Sequence, residues 1–264
     1  MVLDDSHPPR QRSGMITIYS GNELPKLRSA GRVAAQTLET VCAKLTAGVT
    51  TAEIERWVRA DTKQRGGKPS QLGFHGFPHA VCISRNHVVC HGMPSERERL
   101  ANGDIVNVDV TTEVDGFHGD TSRTVAIGEI SEDARHVMET AERCRDAGIS
   151  VIRDGARIGD LGAAIVEVAR ANGCSVVRDL CGHGIGRHMH EDPKVPHVGR
   201  AGMGLRLREG MVITVEPMIN LGGPEVVFHD DGWTVTTADG SLSAQFEHTV
   251  LVTKQGFEIM TLPE

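Results

Sequence analysis

Aromatic residues are scarce, at 3% of 264 residues with one tyrosine and two tryptophans. That scarcity counts against a platform on which nucleic-acid bases stack. Positive charge is short as well: lysine and arginine number 28 against 35 acids, a net charge of −7. A general DNA binder needs a basic face, so no DNA partner is expected. No run of 18 apolar residues occurs, so no membrane-spanning helix is expected. Residues 1–14 hold Pro8, Pro9, Arg10 and Arg12 and no apolar stretch. They read as a disordered tail, not a signal peptide. The six cysteines, Cys42, Cys82, Cys90, Cys144, Cys174 and Cys181, form no Cys-x-x-Cys pair, which argues against a zinc knuckle or a thioredoxin-like motif. Their low density suits reduced thiols and a cytoplasmic location. Neither a Gly-x-x-x-x-Gly-Lys-Ser/Thr loop nor a Gly-x-Ser-x-Gly elbow is present, which excludes a P-loop and a hydrolase nucleophile elbow.

What is present is a mixed pattern. From Asn22, a candidate N-cap with Pro25 in the first turn, Leu24, Leu27, Ala34, Leu38, Val41 and Leu45 recur at helical spacing up to Gly48. Thr50 or Thr51 caps a second helix carrying Ile54, Trp57 and Val58 and stopping near Gly66-Gly67. Residues 72–92 read as extended and loop-like. Strands are expected from Ile105 to Val110 and from about Phe117 to Ile127. The order then recurs: a helix over about Ser131–Arg153, a second after Gly155 with Leu161, Ile165 and Val168 on one face, a Gly-rich stretch, and a strand at Val212–Glu216. Gly48 and Gly155, Ile54 and Leu161, and Gly103 and Gly210 are each 107 positions apart. One offset across helix, helix and strand predicts two related helix–helix–β halves sharing a sheet.

Asp109 lies inside the apolar run Ile105–Val110, where a carboxylate is costly unless paired or bound to metal. Asp115-Gly116 is a strong two-residue hairpin signal. That turn pairs Val114 with Phe117 and Thr111 with Asp120, so Asp109 and Asp120 share one face as diagonal neighbours about 7–8 Å apart. Taken alone, the two also fit a strand-end and a turn aspartate. The second half adds Glu216, ending Val212–Val215 before Pro217, and Glu247 among strand formers. Four converging carboxylates repel and retain protons; two divalent cations cancel their charge. His183, between Gly182 and Gly184, offers one imidazole. An oxygen-rich set with one imidazole favours Mn²⁺, Fe²⁺, Co²⁺ or Zn²⁺. His136, His188, His197 and His229 read as ordinary solvent-exposed side chains.

The runs Cys-His-Gly-Met-Pro (90–94), Val-Asp-Val (108–110), Gly-Phe-His-Gly-Asp-Thr-Ser (116–122), Gly-His-Gly-Ile-Gly-Arg (182–187), Val-Glu-Pro-Met (215–218) and Ser-Ala-Gln-Phe-Glu-His-Thr (243–249) resemble the type I methionine aminopeptidases in their short bacterial form. The similarity spans about Ile18–Leu262. It implies the pita-bread fold, an α/β (α+β) domain over 15–264 with two pseudo-symmetric halves sharing a curved antiparallel sheet. It implies a two-ion centre in which Asp109 chelates one ion, Asp120 and Glu247 bridge both, and His183 and Glu216 complete the second. It further implies removal of the initiator methionine from nascent chains when the second residue is small. On the same resemblance, a hydroxide held by the ions would attack the scissile carbonyl, Glu216 would shuttle the proton, His190 would stabilise the oxyanion and His91 would contact the scissile amide. Phe74, Phe77, Cys82 and Trp233 match the methionine pocket. Four positions depart from the family pattern: Phe74 and Phe77 stand where tyrosine is frequent, Gln71 where cysteine is frequent, and Met189 where an aromatic is frequent. A monomer with transient ribosome contact and no membrane association is implied. The sequence shows no long insert between His183 and Glu216 and no zinc-binding extension. Proline-directed peptidases of the same fold carry a separate N-terminal domain, whereas about 20 residues precede the first helix here.

Overall fold

The structure, a computed structural model, describes residues 15–264. The tail expected over 1–14 lies outside the described residues. The first half runs α1 (Glu23–Cys42), α2 (Thr51–Gln64), β1 (Lys68–Pro69), β2 (Cys82–Arg85), β3 (Val88–Cys90), β4 (Ile105–Val114) and β5 (Phe117–Ala126). The second begins with α3 (Glu132–Ser150), α4 (Ile158–Ala171), β6 (Ser175–Val176), β7 (Cys181–Gly184), β8 (Glu191–Pro196) and β9 (Val212–Val215). It closes with β10 (Met218–Asn220), β11 (Val226–Phe228), β12 (Val235–Thr237), β13 (Ser243–Gln245), β14 (His248–Val252) and β15 (Phe257–Ile259).

The 107-residue offset holds at the level of single hydrogen bonds. Gly48 N–H donates to Leu100 O at 2.7 Å, and Gly155 N–H to Leu207 O at 3.0 Å. Leu100 N–H returns to Val49 O at 2.9 Å, and Leu207 N–H to Ala156 O at 2.7 Å. Isolated bridges Thr50–Arg99 and Arg157–Arg206 keep the same spacing. Thr50, not Thr51, caps α2: its hydroxyl accepts from Glu53 N–H while Glu53 reaches back to the Thr50 N–H. Such a cap stabilises a helix by about 1 kcal/mol.

Two expectations about α1 need correction. Asn22 has helical backbone angles and no capping hydrogen bond from its side chain. The helix ends at Cys42, ahead of Gly48, because Lys44 and Leu45 turn their N–H groups to carbonyls three residues back, at 3.0 and 3.2 Å. Leu45 still packs on the core, from outside the helix. Residues 72–92 are only partly loop, since β2 and β3 lie within them.

The Asp115-Gly116 turn has φ of 52° and 79°, the left-handed pair that a tight hairpin needs. The register is as expected, Val114 opposite Phe117 and Thr111 opposite Asp120. Among the described residues every strand pair is antiparallel. β4 pairs with β1 and β2 on one edge and β5 on the other, while β9 pairs with β14 and β7. The halves join where Glu247 N–H donates to Ser122 O at 3.0 Å and the Thr249 hydroxyl donates to Asp120 O at 2.8 Å. One core packs Leu38, Val41, Ile54 and Val58 from α1 and α2 on Val106 and Val108; the other packs Val137, Cys144, Leu161 and Ile165 on Ile213 and Val250. α1 lies so close to β5 that a Cβ on Gly119 would stand 2.4 Å from the Gly31 Cα.

Candidate metal centre

The two hairpin-like pairs bring their acids together at the junction of the halves. Asp109 on β4 and Asp120 on β5 meet Glu216, just after β9, and Glu247, just before β14. Asp120 and Glu247 are buried, at 5% and 2% exposure. The Thr111 hydroxyl donates to Asp120 Oδ1 at 2.8 Å, and the Thr214 hydroxyl to Glu216 Oε1 at 2.6 Å. Asp109 Oδ1 and Glu247 Oε1 are buried and have no hydrogen-bond partner. A buried carboxylate oxygen left unpaired is destabilising, and two of them turned into one cluster call for a cation.

His183 is held against the same cluster. Its neighbours must be glycines: a Cβ on Gly182 would stand 2.6 Å from Thr214 O, and one on Gly184 2.3 Å from Asp192 O. The Nδ1–H donates to Gly184 O at 2.9 Å, which leaves the lone pair of a neutral ring on Nε2. That Nε2 stands 3.7 Å from Asp120 Oδ2 and 3.6 Å from Glu216 Oε1, too far for hydrogen bonds and suited to sharing an ion. Ligand atoms of Asp120, His183 and Glu247 all lie within 4.8 Å of one another.

The charges respond accordingly. Burial first, then the negative charges of Asp120 and Glu216, raises the Asp109 carboxyl well above its ordinary range. Burial and the other three acids do the same to Glu247. Burial pushes Glu216 up to about 8, against the downward pull of the Thr214 hydroxyl. Asp120 is raised by burial, although His183 and Thr111 oppose it. Burial keeps His183 and His91 below the usual histidine range. A cluster of acids that resist ionising, with a neutral imidazole among them, is a donor set awaiting positive charge.

The residues expected to form the site all line one cavity of about 270 Å³: Asp109, Asp120, His183, Glu216, Glu247, His91, His190, Phe74, Phe77, Cys82 and Trp233. Gln71 and Met189 line it too. Phe77 meets Trp233 edge-on at 5.0 Å, and Phe74 meets His190 at 4.8 Å. The His190 ring stands 4.1 Å from that of His183. Desolvation by the cavity walls, then the surrounding histidines with His183 foremost, holds His190 well below the ordinary histidine range, although the residue is exposed at the cavity mouth. His91 sits at φ 55°, a conformation that a side chain adopts at a cost and that recurs at functional sites.

Sequence reasoning missed the residues behind the acids. Gln245 donates to Glu216 Oε2 at 3.3 Å and accepts, through its backbone oxygen, from Asn107 at 2.9 Å. Thr111, Thr214 and Gln245 each stand two positions from an acid on a strand, so period-two alternation could have found them. Cys90, Cys181 and Met218 also line the cavity. His197 corrects an expectation: it is 1% exposed, and its Nε2 accepts the Glu216 N–H at 3.1 Å. No local pattern marks that role. All six cysteines are free.

Residues 25–254 match the model of metallopeptidase family M24. Methionine aminopeptidase A of Synechocystis is 49% identical over 94% of this chain and 98% of its own. The crystal structure of methionine aminopeptidase from Rickettsia prowazekii superposes with a TM-score of 0.92 at 46% identity, covering 94% of this chain and all of that one. Prolidase from Pyrococcus furiosus, at 22% identity and a TM-score of 0.74 over 66% of that chain, shares the fold alone.

Proposed function

The chain belongs to metallopeptidase family M24, with the pita-bread fold and hydrolase activity of its methionine aminopeptidases, and on that footing we propose that it removes the initiator methionine from nascent chains whose second residue is small. The observation that carries the reading is the His183 Nε2 lone pair facing two carboxylates at 3.6 and 3.7 Å, beside unpartnered oxygens on Asp109 and Glu247. Asp109, Asp120, His183, Glu216 and Glu247 would hold two divalent ions, of Mn, Fe, Co or Zn. When bound, such ions polarise the scissile carbonyl and acidify a water for attack.

The chain's own groups account for the rest. The methionine side chain sits among Phe74, Phe77, Cys82 and Trp233, an apolar pocket around an unbranched apolar side chain. Glu216 accepts a proton from the water and passes it to the leaving amine. His190 donates to the oxygen that gains charge, and His91 contacts the scissile amide. Residues 15–264 act as one catalytic unit, a cytoplasmic monomer in transient contact with the ribosome. Among the described residues no helix is long and apolar enough to cross a membrane.

Release of methionine from a Met-Ala-Ser peptide tests the reading. Chelation should abolish it and Co²⁺ or Mn²⁺ restore it. Full turnover in rigorously metal-free protein, or turnover of Ala-Pro peptides in place of Met-Ala-Ser, would overturn it.

A further inference from the structure

Gln71 is 94% buried, with 6% exposure, and lines the catalytic cavity. Its position relative to β4 gives it work to do. β1 covers the edge of β4 at Thr112 and Glu113, and Ser70 N–H still reaches Thr111 O at 2.9 Å. β2 takes over that edge at Asp109, opposite Cys82. Between Ser70 and Cys82 the chain leaves the edge, and the seam falls between Thr111 and Asp109. The Gln71 side chain reaches into that seam. Its Nε2 donates to Asp109 O at 2.9 Å, and its Oε1 stands 3.5 Å from Thr111 N. Nε2 also lies 3.9 Å from Cys82 Sγ.

We propose that Gln71 is a positioning residue for the metal centre: its carboxamide stands in for a missing strand residue at the seam between β1 and β2 and fixes the backbone that aims Asp109. The inference rests on Asp109 being a metal ligand, as argued above. A backbone carbonyl accepts more than one hydrogen bond, so the amide adds to the strand pairing. With its donor engaged on the main chain, the amide turns little polarity toward the methionine pocket. Partners that orient a metal ligand are typically worth about 10–100-fold in metal affinity or activity.

Gln71→Met keeps the reach of the side chain and removes the amide; Gln71→Leu removes the amide on a shorter apolar side chain. The backbone amide resonance of Val110, whose peptide bond contains the Asp109 carbonyl, should shift in both variants of the metal-free protein. Calorimetric titration of Gln71→Met with Mn²⁺ should show affinity lower by roughly 10–100-fold. At saturating Mn²⁺, KM for Met-Ala-Ser should stay within about twofold while kcat falls, the pattern of lost transition-state alignment. An unmoved Val110 resonance in both variants overturns the proposal. So does parental Mn²⁺ affinity with a raised KM, which would make Gln71 a wall of the substrate pocket and nothing more. If Gln71→Met does not fold, Gln71→Leu decides through the Val110 resonance. Asp109→Asn separates the two layers: unchanged Mn²⁺ uptake there sinks the ligand assignment and this proposal together. Lost uptake there with parental uptake in Gln71→Met sinks this proposal alone.

Discussion

Removing metal should make this protein less stable as pH rises from 7.0 to 8.0, the reverse of ordinary acid denaturation. Glu216 is pushed from 4.5 to about 8 by burial, and Asp109 and Glu247 are raised well above their ordinary values by burial and mutual repulsion. In this window the folded chain therefore holds protons that the unfolded chain has released. Each such proton lowers unfolding free energy by about 1.4 kcal/mol per pH unit. A raised carboxyl contributes its full stability below the unfolded value and loses it as pH climbs toward the folded one. One to three such groups give a loss of about 1–4 kcal/mol, or roughly 3–15 °C in Tm for a chain of this size.

Histidines dictate where to look. Desolvation lowers His91, His118, His183, His190, His197 and His248, so the unfolded chain takes up protons that the folded one refuses, and stability rises with pH most steeply below about 6.5. Above pH 7.0 only a minority of the unfolded rings is still protonated. The six thiols are raised by burial, and their unfolded value of about 8.5 lies as far above pH 7.5 as the histidines' value of about 6.5 lies below it. The two residual contributions therefore oppose and nearly cancel between pH 7.0 and 8.0, where the carboxyl effect dominates. Urea titrations of chelated protein at pH 6.5, 7.0, 7.5 and 8.0 measure the slope directly. Mn²⁺ should abolish it by replacing the protons, and Glu216→Gln should reduce it by about one proton. Stability that is flat or rising across 7.0–8.0 in the chelated protein would refute the reasoning.

Three further outcomes are expected. Gly31→Ala, which on helix propensity should gain about 0.5–1 kcal/mol, should instead lower the urea midpoint, because its Cβ would stand 2.4 Å from Met260 O and overpacking costs about 1–3 kcal/mol; a raised midpoint contradicts this. His190→Ala should lose about 10²–10³ in kcat yet bind metal normally, whereas His183→Ala should lose metal affinity itself; calorimetry with the opposite result reverses the two assignments. Met-Ala and Met-Gly peptides should be cleaved far faster than Met-Phe, and equal rates in a methionine-release assay count against the small-residue preference.

The sequence made the carboxylates legible because their placement is local. Asp115-Gly116 admits one tight turn, the turn sets the register, and the register puts Asp109 and Asp120 on one face. The end of α1 was not legible, since nothing between Cys42 and Gly48 forbids another turn; tightened hydrogen bonds near Lys44 stop the helix first. His197 was misread for a different reason. Its role depends on reaching Glu216 N–H across the fold, and no spacing rule connects those positions. Gln245 lies between these cases: alternation puts it on the face of Glu247, but only the folded chain shows its contact with Glu216.

The duplication explains how one centre is built from two halves that are not quite copies. Asp109 and Glu216 keep the 107-residue offset, so the second acid is the repeat of the first. Asp120 and Glu247 are 127 apart, so the return strand of the second half arrives 20 residues late. Those residues are not a passive insertion. β10 to β13 lie between the two glutamates, β12 pairs with β3 of the first half, and Trp233 from this excursion packs on Phe77. The symmetric part of the chain thus places four acids, while the asymmetric part closes an apolar wall beside them. His183 has no imidazole counterpart, since the position 107 earlier is Gly76. A strictly symmetric chain would place two pairs of acids around an open cleft with equal claims on substrate from either side. Opening one hairpin and adding one imidazole gives the cleft a single apolar pocket on one side of the acids.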